Sequence, residues 1–241
     1  MTLSPIDSCL YMFSGIVWSS IGGVGNNCSC VSQDSPQPPT FPCDGTVIPI
    51  VPIINPATGK TWMDRNLGAS QVASSSADED AYGDLYQWGR CSDGHEKRSS
   101  VTTTTLSTTE TPGHSDFILA PDSPNDWRSP QNNNLWQGVN GTNNPCPTGW
   151  RIPTETEWDE ERASWTSNDA AGAFATPLKL VVSGSRSHSN GNIGNDGSRG
   201  FYWSSTISGT FARYHYFITD GVAGMSNNRR AAGYVVRCIK D

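Results

Sequence analysis

Residues 211–218 show the clearest alternation of apolar and polar positions in the chain. Successive side chains of a β-strand point to opposite faces. The alternation sorts this segment into two sets, with Ala212, Tyr214, Tyr216 and Ile218 on one side and Phe211, Arg213, His215 and Phe217 on the other. A glycine-containing turn at 221–224 and a polar segment at 226–230 then lead to the apolar run 234–238. The pattern predicts late strands that close a sheet, with Phe217 and Tyr234 buried.

Upstream, the apolar pattern is shorter and more broken. A β-branched run punctuated by prolines at 47–54 predicts an edge strand, followed by a turn at 55–59 and a strand around 61–63. Residues 178–182 predict another strand, and the Gly/Ser/Asn-rich residues 183–200 predict a loop. Between residues 90 and 144 there is almost no periodicity, which indicates a long surface insertion held by Trp127 and Trp136.

One helix start is well marked. Thr154 and Glu157 have the spacing of a capping box, in which each side chain bonds the other residue's backbone amide. Acidic residues crowd the first two turns, where the helix dipole favours negative charge. Trp158, Arg162 and Trp165 share one face of the predicted helix. We therefore expect an amphipathic helix that begins near residue 155 and packs on a sheet.

Composition narrows the class of protein. Only 16% of the 241 residues are charged, and 24 Gly and 16 Pro favour irregular loops over long polar helices. A net charge of −7 without a basic run argues against nucleic acid or anionic lipid as partner. No stretch approaches the roughly 20 apolar residues that cross a bilayer, so we expect no membrane insertion.

The first 45 residues differ from the rest. The apolar stretch 9–18 has no Lys or Arg before it, so it does not predict a secretory signal peptide. Cysteines and a proline-rich stretch at 36–42 follow. We interpret residues 1–45 as an anchoring or assembly segment that ends in a stiff linker, and residues 46–241 as the main domain. An extension packed on the main domain is the alternative.

Six ordered blocks carry a family resemblance. They are residues 61–69 (TWMDRNLGA), 82–90 (YGDLYQWGR), 125–147 (from NDWR to PCP), 149–158 (GWRIPTETEW), 202–206 (YWSST) and 235–238 (VVRC). The chain from about residue 45 onward closely resembles the Fibrobacter succinogenes major paralogous domain. That resemblance implies an α+β, C-type-lectin-like fold of the formylglycine-generating-enzyme type, with a short twisted antiparallel sheet, one or two helices and long loops. It also implies a disulfide between Cys146 and Cys238.

The other five cysteines leave their pairing open. Cys9, Cys28, Cys30 and Cys43 could form two bridges, and Cys91 is then a free thiol or has another partner. Zinc is a weaker explanation, because the Cys-x-Cys at 28–30 has no second close Cys/His pair. Disulfides are typical of proteins outside the cytosol.

Exposed aromatic, amide and arginine side chains of the late strands form the candidate ligand-binding surface. Such side chains suit adaptable recognition. The candidate residues are Trp203, Arg213, Tyr214, His215, Asn227, Asn228 and Arg229. Trp203 or Tyr214 would supply a stacking platform. In the loop 183–200, Asn190, Asn192, Asn195 and Asp196 offer oxygens for calcium, but with one carboxylate a flexible polar loop is the better interpretation.

No catalytic pattern stands out. The histidines at 95, 114, 188 and 215 lack metal-ligand spacing, and no nucleophile motif or phosphate-binding loop occurs. We therefore expect a non-enzymatic module without cofactor or metal. It would bind glycan or protein on a cell surface, at the extracellular surface or as a virion fibre, spike or tail component. Residues 1–45 would contact other structural proteins, and a homo-oligomer, a trimer in a fibre, is expected. The alternative is an oxidoreductase like the formylglycine-generating enzymes, or another enzyme on the same scaffold.

Overall fold

The computed structural model describes residues 11–13, 18–20, 41, 43 and 50–241. The chain divides into two units, Met1–Gln37 and Pro38–Asp241. In the first unit, β1 (Tyr11–Phe13) and β2 (Trp18–Ser20) form an antiparallel hairpin. The second unit includes Phe41, which is buried in its core, so it begins before the predicted boundary at 46. Apart from Phe41, the predicted linker lies outside the described residues, and so does the pairing of Cys9, Cys28 and Cys30.

Short strands and two helices build the described part of the second unit. The early strands are β3 (Pro52–Ile54), β4 (Thr61–Met63), β5 (Tyr86–Gln87), β6 (Thr102–Thr103), β7 (Phe117–Ile118) and β8 (Trp150–Arg151). A 3-10 turn (Glu79–Ala81) precedes β5, and the helices are α1 (Glu155–Ala163) and α2 (Ala170–Ala175). The late strands are β9 (Ser183–Arg186), β10 (Ile193–Asp196), β11 (Arg199–Ser208), β12 (Phe211–Ile218), β13 (Gly224–Arg229), β14 (Gly233–Tyr234) and β15 (Ile239–Lys240).

These strands form small antiparallel sheets. The strand orders are β3-β4-β15-β8, β10-β9-β14-β5 and β11-β12-β13. One further pair, β6 with β7, is parallel and lies in the insertion. The architecture is mostly β-sheet with two helices, roughly α+β, as predicted.

Indole rings dominate the interior of the second unit. Trp62 and Trp158 belong to one apolar cluster, and Trp88 and Trp203 belong to a second. The insertion is fixed by its tryptophans, as expected, since Trp127 and Trp136 are both fully buried. The Trp127 indole N–H donates to the Trp88 carbonyl at 2.7 Å, and a long loop is thereby tied to the core.

Helix α1 begins where the sequence predicted. The Thr154 hydroxyl accepts from the Glu157 amide at 3.3 Å, and the Glu157 carboxylate accepts from the Thr154 amide at 2.8 Å. Arg151 forms a salt bridge with Glu157 at 2.8 Å. Burial by itself would raise the pKa of the Glu157 carboxyl, but the pairing with Arg151 and the hydrogen bonds with Thr154 lower it to about 2. Local sequence is sufficient here because both partners of each bond lie within one turn.

The expectation for residues 178–200 was wrong. Residues 178–182 form no strand, although Leu180, Val181 and Val182 are fully buried. Their backbone groups have other partners: the Tyr202 hydroxyl bonds both the amide and the carbonyl of Val181, at 2.9 and 3.0 Å. The predicted loop contains the β9–β10 hairpin, in which Gly184 lets the backbone at Asp196 approach closely. A periodicity argument misses the first feature because the partner of Val181 is distant in sequence, and it misses the hairpin because the strands are rich in Gly, Ser and Asn.

Two disulfides tie the second unit. Cys146 bonds Cys238, as the resemblance implied. Cys43 bonds Cys91, which settles one of the pairings that the sequence left open and gives Cys91 a partner other than Cys146 or Cys238. The bridge joins the start of the second unit to the insertion, two segments that are far apart in sequence.

Candidate recognition site

The predicted surface lies on the β11-β12-β13 sheet, but the sheet divides it between two faces. In register, Arg213 lies opposite Asn227, and Tyr214 lies opposite Ser226. Alternation therefore places Arg213, His215 and Asn227 on one side and Tyr214 on the other. We call the first the helix-side face, because α1 packs against His215 there, and the second the aromatic face.

His215 was wrongly predicted to be exposed. It is fully buried on the helix-side face, stacked on Trp158 at 5.3 Å between ring centroids and contacting the Trp165 ring edge at 5.2 Å. Neither ring nitrogen has a hydrogen-bond partner among the described residues. Burial, with a smaller contribution from the Arg162 charge, lowers the pKa of His215 to about 3. The side chain is a neutral part of the core, because α1 covers the strand at this point.

Of the two rings considered for the stacking platform, Trp203 cannot serve as one. It lies on the aromatic face but is fully buried, and its indole N–H donates to the Tyr86 carbonyl at 2.7 Å. Arg213 is partly exposed, and its guanidinium pairs with Glu155 at the start of α1. Trp203 therefore packs beneath the exposed rings of the aromatic face, while Arg213 joins β12 to the start of α1.

Three partly exposed rings form the aromatic face. Phe201 of β11 lies opposite Tyr216 of β12, and Tyr214 lies two residues before Tyr216 on the same side. Ring centroids are 5.9 Å apart for Phe201 and Tyr214, and 6.2 Å apart for Tyr214 and Tyr216. Beneath them, the buried Tyr234 ring lies 4.8 Å from Tyr214. A continuous aromatic layer thus reaches the surface.

Polar groups border this layer on β13. Ser226 lies beside Tyr214, and the Asn228 amide donates to the hydroxyl of Tyr234, whose pKa is raised mainly by burial. Asn228 is partly exposed, and the exposed Arg229 donates to the Asn125 side-chain carbonyl at 3.0 Å. Asn227 and Arg229 are exposed but belong to the helix-side face, where Arg229 lies opposite Phe211. The sheet therefore keeps Arg213, His215, Asn227 and Arg229 together on the helix-side face, and Tyr214 and Asn228 together on the aromatic face.

Sequence reasoning missed Phe201, Tyr216 and Ser226 as surface residues. A signal for two of them was present, because Phe201 and Tyr216 lie two positions from Trp203 and Tyr214 on the same strands. What the sequence did not reveal is the register that places these residues side by side. That register comes from pairing between strands and not from either strand alone.

One cluster of the described residues has metal-ligand chemistry. Single ligand atoms of Asp93, His95 and Glu96 lie within 4.8 Å of one another. However, His95 Nε2 accepts from the Gln87 amide at 3.1 Å, so the ring proton resides on Nδ1 and is donated to Asp93 at 2.7 Å. Arg90 occupies the other Asp93 oxygen at 2.8 Å. The donors that a metal would need are engaged, and the cluster fixes the start of the insertion.

The loop considered for calcium is also organised by its own bonds. Residues 183–196 pair as the β9–β10 hairpin, and the Asn190 side-chain oxygen accepts from the Asn192 amide at 3.0 Å. The asparagines of this segment therefore serve the turn of the hairpin, where their side chains bond nearby backbone groups.

Among the described residues, two disulfides are present, Cys43–Cys91 and Cys146–Cys238. No helix in the described ranges is both long and apolar enough to cross a membrane. No protein-family model, curated protein or solved structure gives a significant match to the chain.

Proposed function

We propose that this chain is a non-enzymatic recognition module that binds a cell-surface glycan through the aromatic face. The observation that carries the proposal is the row of partly exposed rings of Phe201, Tyr214 and Tyr216, bordered by Ser226 and Asn228. Sugars offer C–H faces that stack on aromatic rings, and hydroxyls that bond to amide and hydroxyl groups.

The support beneath the rings favours binding. Trp203 and Tyr234 are buried and in ring contact at 4.5 Å, and Tyr234 also contacts Phe201 at 5.1 Å. Rings that are held before the ligand arrives lose little conformational freedom on binding, and tyrosine has few rotatable bonds. The aromatic face is therefore organised in advance.

The wider setting is part of the same proposal. The six sequence blocks resemble the Fibrobacter succinogenes major paralogous domain, and the α+β architecture with its Cys146–Cys238 bridge is compatible with a C-type-lectin-like fold. We place the module at an extracellular surface or on a virion fibre, spike or tail. Residues 1–45 would join it to other structural proteins, with a trimer expected in a fibre.

A glycan array and a whole-cell binding assay test the proposal. Tyr214→Ala with Tyr216→Ala should weaken binding at least about tenfold, because truncating aromatic anchors at the centre of a contact surface often costs 2 kcal/mol or more. Phe211→Ala is the matched control, since it truncates a partly exposed ring of β12 on the helix-side face. It should bind as the wild type does.

Treatment of the target cells separates glycan from protein. Periodate, which cleaves sugar rings, should abolish binding, while mild protease treatment that leaves glycolipids intact should not abolish it. Binding that survives periodate and is lost with protease would identify a protein epitope and contradict the glycan assignment. Unchanged binding by the double variant would show that the contact surface lies elsewhere.

A further inference from the structure

A cleft of about 480 Å³ brings together two sequence blocks that the aromatic face does not use. Asp64, Arg65 and Leu67 come from the block at 61–69, and Asp84 and Tyr86 come from the block at 82–90. Its volume lies within the range of about 300–1,000 Å³ that is typical of small-molecule sites. The two blocks are separated in sequence. The first contains β4 and the second contains β5, and these two strands belong to different sheets.

Apolar side chains make up much of the cleft wall. Met63, Leu67 and Tyr86 are almost completely buried, and Phe41 adds a further ring. Val51, which also lines the cleft, is half exposed and offers apolar area that binding would remove from water, so the cleft favours a ligand with a hydrocarbon chain or ring.

Carboxylates supply the polar end of the cleft. Lys97 Nζ lies 2.7 Å from an Asp84 oxygen and 3.7 Å from a Glu96 oxygen, so one ammonium serves two buried carboxylates. Burial raises the pKa of both carboxyls, and the charge of Asp84 adds to the effect on Glu96. Asp64 and Arg65 form a salt bridge at 2.8 Å, so their opposite charges offset each other. The cleft therefore carries an excess of negative charge beside an apolar wall.

We propose that this cleft binds an organic ammonium, with the protonated amine against Asp84 and Glu96 and the hydrocarbon part against Met63 and Leu67. A cation is favoured because it adds a positive group beside two carboxylates whose lysine partner is Lys97, with Arg98 adding a further positive charge near Asp84. Lys97 is more than half exposed. Either a free alkylamine or a lysine side chain of another protein offers this chemistry.

Titration followed by NMR of the methyl groups of Met63 and Leu67 tests the proposal on the whole protein. The probes are n-hexylamine, the neutral n-hexanol and the anionic hexanoate. Hexylamine should shift these methyl signals saturably with a dissociation constant of about millimolar, as expected for a ligand of this size. Hexanol and hexanoate should bind at least about tenfold more weakly. Nα-acetyl-lysine methylamide tests the protein source: tighter binding than hexylamine would indicate a lysine side chain, and weaker binding a free amine.

Variants of Asp84 and Lys97 should change the affinity for hexylamine in opposite directions. Asp84→Asn should weaken hexylamine binding about tenfold, whereas Asp122→Asn, which neutralises an exposed carboxylate outside the cleft, should leave it unchanged. Lys97→Met should strengthen hexylamine binding, and loss of folding cannot imitate that gain. Equal binding of hexanol, no saturable shift with hexylamine, or weaker hexylamine binding by folded Lys97→Met would overturn the proposal.

Discussion

Both faces of the β11-β12-β13 sheet carry aromatic rings, which are buried on one face and partly exposed on the other. The helix-side face carries Tyr202, His215 and Phe217, all fully buried beneath α1 and its neighbouring residues. The aromatic face carries Phe201, Tyr214 and Tyr216, all partly exposed. Composition does not distinguish the two faces. The difference is that an α-helix covers one of them, and a surface rich in aromatic rings becomes available for recognition where nothing covers it.

The largest expected contrast between the faces is in stability. Trp158→Ala removes the ring that joins α1 to the helix-side face, together with the hydrogen bond from its indole to the Trp203 carbonyl at 3.1 Å. We expect a loss of about 3–5 kcal/mol in the free energy of unfolding, as for other buried large-to-small changes. Tyr216→Ala on the aromatic face should cost less than about 1.5 kcal/mol, because the ring is already partly in water. Urea denaturation measures both, and similar losses would contradict the comparison.

Acid should destabilise the helix-side face selectively. His215 has a folded-state pKa of about 3, below the ordinary value of 6.5, so the unfolded chain takes up a proton that the folded chain resists. Stability is therefore lost as pH falls below 6.5, by about 2 kcal/mol at pH 5. His215→Phe keeps an aromatic ring but cannot be protonated. Between pH 7 and pH 5 it should lose about 2 kcal/mol less than the wild type in urea denaturation.

His95 gives an internal comparison for that experiment. Burial lowers its pKa to about 4 despite the bond to Asp93, so it contributes acid sensitivity of its own, far from α1 in sequence. The His215→Phe variant should therefore keep part of the wild-type pH dependence. If the variant and the wild type lose stability equally between pH 7 and pH 5, His215 is not buried as a neutral side chain.

The same two faces show what the sequence determines by itself. The capping box of Thr154 and Glu157 and the alternation in β12 were predictable, because each depends on neighbours within a few residues. The burial of His215 was not, because it depends on α1 crossing a strand about 55 residues later in the chain. Nor did the Cys43–Cys91 bridge follow from spacing, since bonding needs proximity in space. Local rules gave helix α1 and strand β12, and long-range packing decided which of their side chains remained at the surface.

The Arg213–Glu155 pair lies where the sheet meets the start of α1, and it should contribute little to either property. Both side chains are about one quarter exposed, and ion pairs of this kind are typically worth about 0.2–1 kcal/mol. Arg213→Met should lower the melting temperature slightly and leave glycan binding unchanged. A large loss of binding would extend the recognition surface from the aromatic face to this edge.

Adjacent asparagines on β13 provide the smallest and sharpest comparison. Asn227 lies on the helix-side face, exposed and opposite Arg213, while Asn228 bonds the Tyr234 hydroxyl beneath the aromatic face. Asn227→Ala should change the free energy of unfolding by less than about 0.5 kcal/mol and leave glycan binding as it is, as is usual for exposed substitutions. Asn228→Ala should weaken binding, because it removes an amide beside the rings and leaves the Tyr234 hydroxyl without that donor. Binding assays and thermal denaturation of the two variants measure this difference. Equal binding by both would mean that the border of polar groups takes no part in recognition, and that the rings act alone.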